Sequence, residues 1–427
     1  MKATPSRAFI DEDSGKVLRA ETGPRKGRAV KIVLVSLLAV VLIVGGTGTY
    51  IFFSLQSGLG GGQVKVPGPR PTTQGPTSEV SNPGDPYAGR ALNILVMGTD
   101  SREGGNVEIS ADDDLIFGRS DTTFIAHISG DRTRVEIVSF PRDARVRVAE
   151  CEDGDGDIIY ASWATVKFNE VFFYGWEQGG SQATGVACLI KTVESLTDVY
   201  IDAYLMVDFA GFVDVVNAVG GVNVNLLCPI YSENAGGLDL PAGVSKLDGW
   251  HAVQLARART GDGLGDGTDI ARIQRQQALV KALIQTVMDL NLVTDLSKLY
   301  DFVKKALASV TTDLGGNKLL DLAGFAFSLR HFNTDAIYGM TVPWHYVEEG
   351  GVVLNEWEAL PIWEALKNDQ LLPGEEALPP VDPTQSTVPT TPGATNTGGG
   401  LGPTSTPTSP IMRPPVTIQT EADCEIW

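Results

Sequence analysis

The sequence predicts an α/β domain, a mixed central sheet covered by helices, preceded by one transmembrane helix. Three observations predict it. Short apolar runs bounded by glycine alternate with longer segments whose apolar residues recur at helical spacing. One stretch near the N-terminus, residues 32–55, has no charged side chain. Two segments on either side of the alternating region are dominated by Gly, Pro, Ser and Thr, a composition that cannot bury a core.

The elements follow in order. Residues 1–31 hold eight basic and four acidic side chains, although the chain of 427 residues carries a net charge of −19. The basic cluster predicts a cytoplasmic N-terminus. The uncharged run after it spans roughly 36 Å at about 1.5 Å per residue, enough to cross a bilayer with some tilt. No A-x-A-like site follows, which favours an uncleaved anchor over a signal peptide. Everything beyond residue 55 is then expected outside the membrane. Residues 56–89 read as a flexible stalk, 90–373 as the folded extracellular domain, and 374–427 as a disordered tail that ends near Cys424.

Inside 90–373, the run 91–97 (ALNILVM) ends at Gly98 and reads as a buried strand. Residues 122–128 and 134–139 are rich in β-branched side chains and read as strands. Residues 182–196 read as a helix with Val186, Leu189, Ile190 and Val193 on one side. A strand at 200–207, a helix at 209–219, a break at Gly220-Gly221 and a strand at 222–226 follow. The longest helix is expected over 269–290, where Ile273, Val280, Ile284 and Val287 share a face.

Composition also excludes function classes. An acidic chain lacks the basic footprint that phosphate backbones require, so DNA binding is disfavoured. Four Cys and four His without Cys-x-x-Cys or His-Glu-x-x-His spacing argue against a zinc site. Export permits disulfides. Four cysteines allow three pairings; Cys151–Cys188 is favoured, and Cys424 could clip the tail back through Cys228 or bond between molecules.

Four polar clusters stand at predicted element ends. They are 93–102 (NILVMGTDSR, with Asp100 and Arg102), 119–122 (RSDT, with Arg119 and Asp121), 139–143 (SFPRD, with Arg142 and Asp143), and 247–276 (LDG, then Arg257, Arg259, Asp269, Arg272, Arg275 and Gln276). Residues 272, 275 and 276 are expected on one helical face. A single arginine is ordinarily a surface ion pair. Arginines concentrated in four clusters of an acidic domain, with paired aspartates, instead suit a Mg²⁺-pyrophosphate ligand. The metal takes one or two carboxylates plus phosphate oxygens, and guanidinium forks neutralise the rest.

These segments, with KFNEVFFYGW, Gly220-Gly221-Val222 and DIARIQRQQ, occur in an order that resembles the LytR-CpsA-Psr family of envelope glycopolymer transferases. The resemblance covers roughly 91–290 and extends more weakly to about 372. It implies a phosphotransferase that takes a glycopolymer from a polyprenyl-pyrophosphate carrier and joins it to a peptidoglycan hydroxyl through a phosphodiester, with Mg²⁺. It implies metal-associated carboxylates at Asp100 and Asp121, and catalytic roles for Asp100, Arg119 and Arg142. It also implies pyrophosphate contacts from Arg102, Arg257, Arg259, Arg272, Arg275 and Gln276. Lys167 and Asn169 match a segment that shapes the site. Asp143 would orient Arg142, and Asp269 would support a helix start.

Some features depart from the family or have plain explanations. An extra segment at 103–118 carries Asp112-Asp113-Asp114 and reads as a solvated loop, or alternatively as a lid or a second cation contact. CEDGDGD at 151–157 lacks the Gly and Glu that an EF-hand needs. Asp262 and Asp266 read as a mobile rim. Phe168, Phe172, Phe173, Tyr174 and Trp176 read mainly as core, some of them as candidates for the wall of a polyprenyl tunnel. His127, His251, His331 and His345 receive no role. Two readings compete with the transferase: hydrolysis of the same pyrophosphate, and a membrane-anchored protein that holds lipid-linked polymer without turnover. The polymer itself, whether arabinogalactan, teichoic-type chain or capsule, has no readable signature.

Overall fold

Strand β1 (Leu92–Thr99) sends Leu92 and Ile94 to one face and Leu95 and Met97 to the other, the period-two pattern of a strand covered on both sides. In this computed structural model the described residues are 85–100, 118–265, 269–289, 296–314, 319–330, 332–347, 351–376 and 415–418, with pieces at 9–10, 17–18 and 53–56. After β1 come β2 (Ser120–Ile128), β3 (Val135–Ser139), α1 (Glu170–Gly179), α2 (Gln182–Thr197), β4 (Ala203–Asp208) and α3 (Phe209–Ala218). Then follow β5 (Val222–Leu226), β6 (Gly243–Leu247), α4 (Gly249–Arg257), α5 (Asp269–Asp289), α6 (Leu296–Ser309) and β7 (Val310–Thr312). The last are α7 (Leu319–Ser328), β8 (Ile337–Thr341), α8 (Glu356–Lys367) and β9 (Val416–Ile418).

The main sheet has the order β7-β4-β1-β2-β3-β8. It is mixed: β4 lies parallel to β1 and β8 parallel to β3, while β2 runs antiparallel to β1 and β3 on either side of it. One face packs Leu95, Met97, Ile125 and Val138 against Phe172 of α1, Leu189 of α2 and Trp363 of α8. The opposite face packs Ile94, Phe124 and Ile137 against α5 and α7, where Val280, Ile284 and Leu322 remain only partly buried. A second core gathers β5, β6 and α4 beside α5 through Val224, Leu247, Leu255 and Leu279. Local chemistry sets several boundaries. Ser181 caps α2 by accepting from the Thr184 N–H, and Asp208 caps α3 by accepting from the Gly211 N–H. Gly220 and Gly221 turn the chain at φ +80° and +95°, a region that favours glycine.

The mixed α/β architecture is as expected. Phe168, Phe172 and Trp176 are fully buried in the first core, so these aromatics are packing residues. Cys151 and Cys188 form a disulfide. Cys228 is disulfide-bonded too, with its partner outside the described residues, where Cys424 also lies. Part of the expected tail is ordered: β9 pairs in parallel with β5 and buries Val416 and Ile418 in the second core. The expected anchor at 32–55 falls almost wholly outside the described residues, among which no helix is long and apolar enough to cross a membrane. Residues 1–54 form a unit of their own, with Phe9–Ile10 paired to Val17–Leu18.

Candidate functional site

Antiparallel pairing explains why distant clusters meet. The C-terminal end of β1 lies beside the N-terminal end of β2, which lies beside the C-terminal end of β3. One edge of the sheet therefore collects Asp100, then Arg119, Ser120 and Asp121, then Arg142 and Asp143. The ladder slips here: Gly98 pairs with Thr122 while Thr99 pairs with Ser120, so Asp121 is the extra residue of a bulge. A bulge re-aims its side chain, and Asp121 is turned toward Arg142. The close approach leaves little room at Gly98, where a Cβ would stand 3.3 Å from the Thr122 Cβ.

Asp121 is the hub. Its Oδ1 accepts from Arg142 Nη1 at 2.8 Å and from Asn169 Nδ2 at 3.0 Å. Burial alone would raise its pKa, but Arg142, the Asn169 amide and Arg272 outweigh that and hold the carboxyl below its usual value. Asn169 also fastens the two loops through its backbone, accepting from Ser120 N–H at 3.2 Å and donating to the Arg142 carbonyl at 3.1 Å. Asp269, at the start of α5, accepts the Arg142 backbone N–H through Oδ2 at 3.0 Å and pairs with Arg272 through Oδ1. Arg272 reaches the Asp121 carbonyl at 3.4 Å, with its side chain only 4% exposed. Asp143 sits 3.5 Å from Arg142 Nε and accepts from Lys167 Nζ at 2.8 Å. Burial opposes the charge of Arg142, yet Asp121, Asp143 and Asp269 together raise its pKa, so the guanidinium stays charged.

Asp100 faces the same space. Its Oδ1 accepts the Arg119 N–H at 2.6 Å, and its own N–H donates to the Arg119 carbonyl at 3.3 Å. Its pKa is raised, first by burial and then by the charge of Asp121, against the Arg119 N–H that lowers it. Arg119 is 38% exposed and stands 3.7 Å from Glu170. Arg257 lies across the Phe209 ring at 4.5 Å. Burial lowers its pKa, while the charges of Asp121 and Asp100 act to raise it, which places the guanidinium within their field. Arg259 is exposed and, among the described residues, has no hydrogen-bond or ion-pair partner. Gln276 donates to the Ala256 carbonyl at 3.1 Å and borders a void of about 10 Å³ together with Asp121.

Two expected residues stand apart. Arg102 and the 103–117 segment lie outside the described residues. Arg275 is placed differently from Arg272 and Gln276: it is 1% exposed and donates to the carbonyls of Leu264 at 2.6 Å and Ala258 at 2.5 Å. Its charge is spent on the 258–264 loop, so it acts as a brace behind the cluster and has no open face toward a ligand. Glu170 and the bridging role of Asp269 escaped the sequence reading; Glu170 directly follows the Lys167–Asn169 segment and carried no separate signal.

Asp100 and Asp121 fit a divalent cation through their remaining oxygens. Neither Oδ2 accepts a hydrogen bond among the described residues. Two like charges this close would be relieved by a cation, and two carboxylates plus phosphate oxygens is an ordinary Mg²⁺ donor set. The site is also rich in unmatched polar atoms. Among the described residues, nine buried side-chain polar atoms have no hydrogen-bond partner, and five belong here: Arg119 Nε, Ser120 Oγ, Asn169 Oδ1, Arg272 Nε, and Arg142 Nε, which meets Asp143 and Asp269 only at ion-pair distance. Such a concentration marks a place organised for a ligand.

Comparison with known proteins decides the family. The model of the LytR_cpsA_psr family matches residues 70–368, well over half the sequence. The chain belongs to the LytR_cpsA_psr family. Among relatives, it is 29% identical over 262 residues to the polyisoprenyl-teichoic acid–peptidoglycan teichoic acid transferase TagU of Oceanobacillus iheyensis, covering 60% of this chain and 71% of that protein. It is 26% identical over 317 residues to the cell wall biosynthesis protein LcpA of Corynebacterium glutamicum, covering 71% of this chain and 58% of that one. The family fold is seen in the crystal structure of Bacillus subtilis TagV, with a TM-score of 0.50 at 22% identity over 66% of this chain and 99% of TagV. A Streptococcus agalactiae structure gives 0.50 at 19% identity.

Proposed function

We propose that this protein transfers a wall glycopolymer from a polyprenyl-pyrophosphate carrier to a peptidoglycan hydroxyl, forming a phosphodiester link, with Mg²⁺, at the outer face of the plasma membrane. The observation that carries the reading is the convergence of Arg119, Arg142, Arg257 and Arg272 on the Asp100–Asp121 pair, with donors left unmatched around it. The family relatives named as teichoic acid transferases support the substrate class.

Each residue then has a task. Arg142 and Arg272 are held by Asp121, Asp143 and Asp269 and so are oriented before substrate arrives, which lowers the reorganisation needed as charge develops on the phosphoryl oxygens. Arg119, Arg257 and Arg259 keep accessible faces for the oxygens of the two phosphates. Asp100 and Asp121 would hold Mg²⁺, which supplies neutralisation of the pyrophosphate charge. Asp100 is the carboxylate assigned to take the proton of the attacking sugar hydroxyl. That oxygen bonds to the phosphorus borne by the polymer, and the bridging oxygen leaves on polyprenyl phosphate. Val96, Ala126, Leu205, Val280 and Ile284, half-buried between the sheet and α5, offer the carrier's hydrocarbon chain an apolar bed.

The test uses full-length protein in detergent and a donor labelled with ³²P on the polymer-side phosphate. The label should enter peptidoglycan, and Asp121→Asn should abolish transfer and weaken Mn²⁺ binding seen by paramagnetic resonance. Label released only as free phosphopolymer, at equal rates with and without acceptor, would refute transfer in favour of hydrolysis.

A further inference from the structure

The chain leaves the site after Arg142 and returns to it at Lys167 and Asn169. Between them runs a narrow β excursion, in which Arg145–Val146 pairs with Val166–Lys167 and Cys151–Glu152 with Ile158–Ile159. It is firmly built. The Cys151–Cys188 disulfide ties its far end to α2, and the Ala149 N–H donates to Thr192 Oγ1 of that helix at 3.0 Å. The Val148 N–H donates to Ser162 Oγ at 2.9 Å, and Val146 and Val148 are buried. Yet the excursion displays Tyr160 at 72% and Trp163 at 97% exposure. The flank continues beyond it. Ala144 bridges to Val352, and Arg145 and Val146 line a cleft of about 160 Å³ with Leu354, Glu356 and Trp363. Trp357, next in the chain to Glu356, is 84% exposed.

Large aromatic faces held on a braced scaffold and left in water mark a binding surface, because they bury much area with little loss of freedom. Charge selects the partner. The excursion carries exposed Arg145 and Arg147 near the site, but Glu150, Glu152, Asp153, Asp155 and Asp157 make its far end acidic. That acidic rim repels phosphate-bearing polymer and anionic lipid headgroups. A neutral pyranose ring is not repelled, and its C–H face can lie flat on an indole or phenol ring.

We propose that this ledge docks the neutral glycan strand that bears the acceptor hydroxyl, stacked on Tyr160 and Trp163 and led along residues 144–148 to Arg142. The direction of that path rests on the transferase reading; the binding itself does not. The test is calorimetric titration of the full-length protein in detergent with a β-1,4-linked N-acetylglucosamine hexamer. Trp163→Ala should weaken hexamer affinity about tenfold, and Tyr160→Ala with Trp163→Ala should remove measurable binding. Both side chains are exposed, so an unchanged melting temperature will show that the variants fold. Hexamer affinity that is absent in the wild type, or equal in wild type and double variant, overturns the proposal. So does loss of sedimentation with phosphatidylglycerol vesicles in the double variant while hexamer binding persists, which would assign the ledge to a membrane. A wild type that binds hexamer through Trp163 but transfers no polymer leaves the ledge standing and sinks the transferase reading. A transferring wild type whose hexamer binding ignores Trp163 does the reverse.

Discussion

Arg272 and Arg275 lie one helical turn apart on α5, and exchanging each for Met should separate a working guanidinium from a bracing one. Arg275 is 1% exposed and, among the described residues, has no carboxylate partner; burial, with repulsion from Arg272, pushes its pKa down to about 10. Holding that charge against the downward shift costs the fold about 3 kcal/mol. Against this stand two charge-assisted hydrogen bonds to Leu264 and Ala258, about 1.5–3 kcal/mol each. Arg275→Met removes both terms, so the net destabilisation should be no more than about 3 kcal/mol. Donor turnover at saturating substrate should fall less than about tenfold, since the effect reaches the site only through a loosened 258–264 loop. Arg272→Met removes a guanidinium that contacts Asp121 and Asp269 and should lower turnover by about 10²–10³-fold. Urea unfolding and transfer kinetics on the same preparations measure both. A stable Arg275→Met protein that has lost turnover as fully as Arg272→Met would refute the bracing role and return Arg275 to the substrate.

The disulfide and the buried carboxylates make two further predictions. Breaking the disulfide with Cys151→Ser and Cys188→Ser should cost about 3–4 kcal/mol for a separation of 37 residues; a urea midpoint that does not move would mean that the excursion is held by its hydrogen bonds alone. For pH, Glu136 is raised by burial and Asp100 likewise, so each binds its proton earlier in the folded state and adds stability as pH falls through that folded value. Asp121, Asp143 and Asp369, the last bonded to His127, the Gly130 N–H and Arg134, are lowered by their partners, so their contribution is complete above the unfolded value of about 3.9 and is lost as pH falls through their folded values. Melting temperature should therefore rise slightly on mild acidification and drop steeply below about pH 4, with Glu136→Gln removing the rise and Asp369→Asn softening the drop. A monotonic decline from neutrality, identical in Glu136→Gln, would contradict these assignments.

Strong local patterns carried most of the fold into view. β5 was legible because Gly220-Gly221 ends the preceding helix, and α5 because Ile273, Val280 and Ile284 repeat at helical spacing. α1 was not, since FFYGW reads as a cluster of core aromatics; its end is set by Gly180 in the left-handed region. β9 is three residues beyond a Pro/Thr-rich stretch, and its pairing with β5 is a long-range contact with no local pattern. In the site, residue types and element ends located Asp100, Asp121 and Arg142. Helical geometry alone put Arg275 with Arg272; the carbonyls of a loop that folds back over α5 turned it away. The bulge at Asp121 and the hinge role of Asn169 depend on strand register and loop closure, which short-range sequence does not encode.

The central claim is that this cluster turns over a polyprenyl-pyrophosphate donor. Its most direct test is transfer of a short synthetic glycolipid by the full-length protein to peptidoglycan oligomers, with Mg²⁺ or EDTA, for wild type and Arg142→Ala. The account predicts metal-dependent transfer that falls at least about 10²-fold in the variant. Tight donor binding without turnover, unchanged by Arg142→Ala, would contradict it.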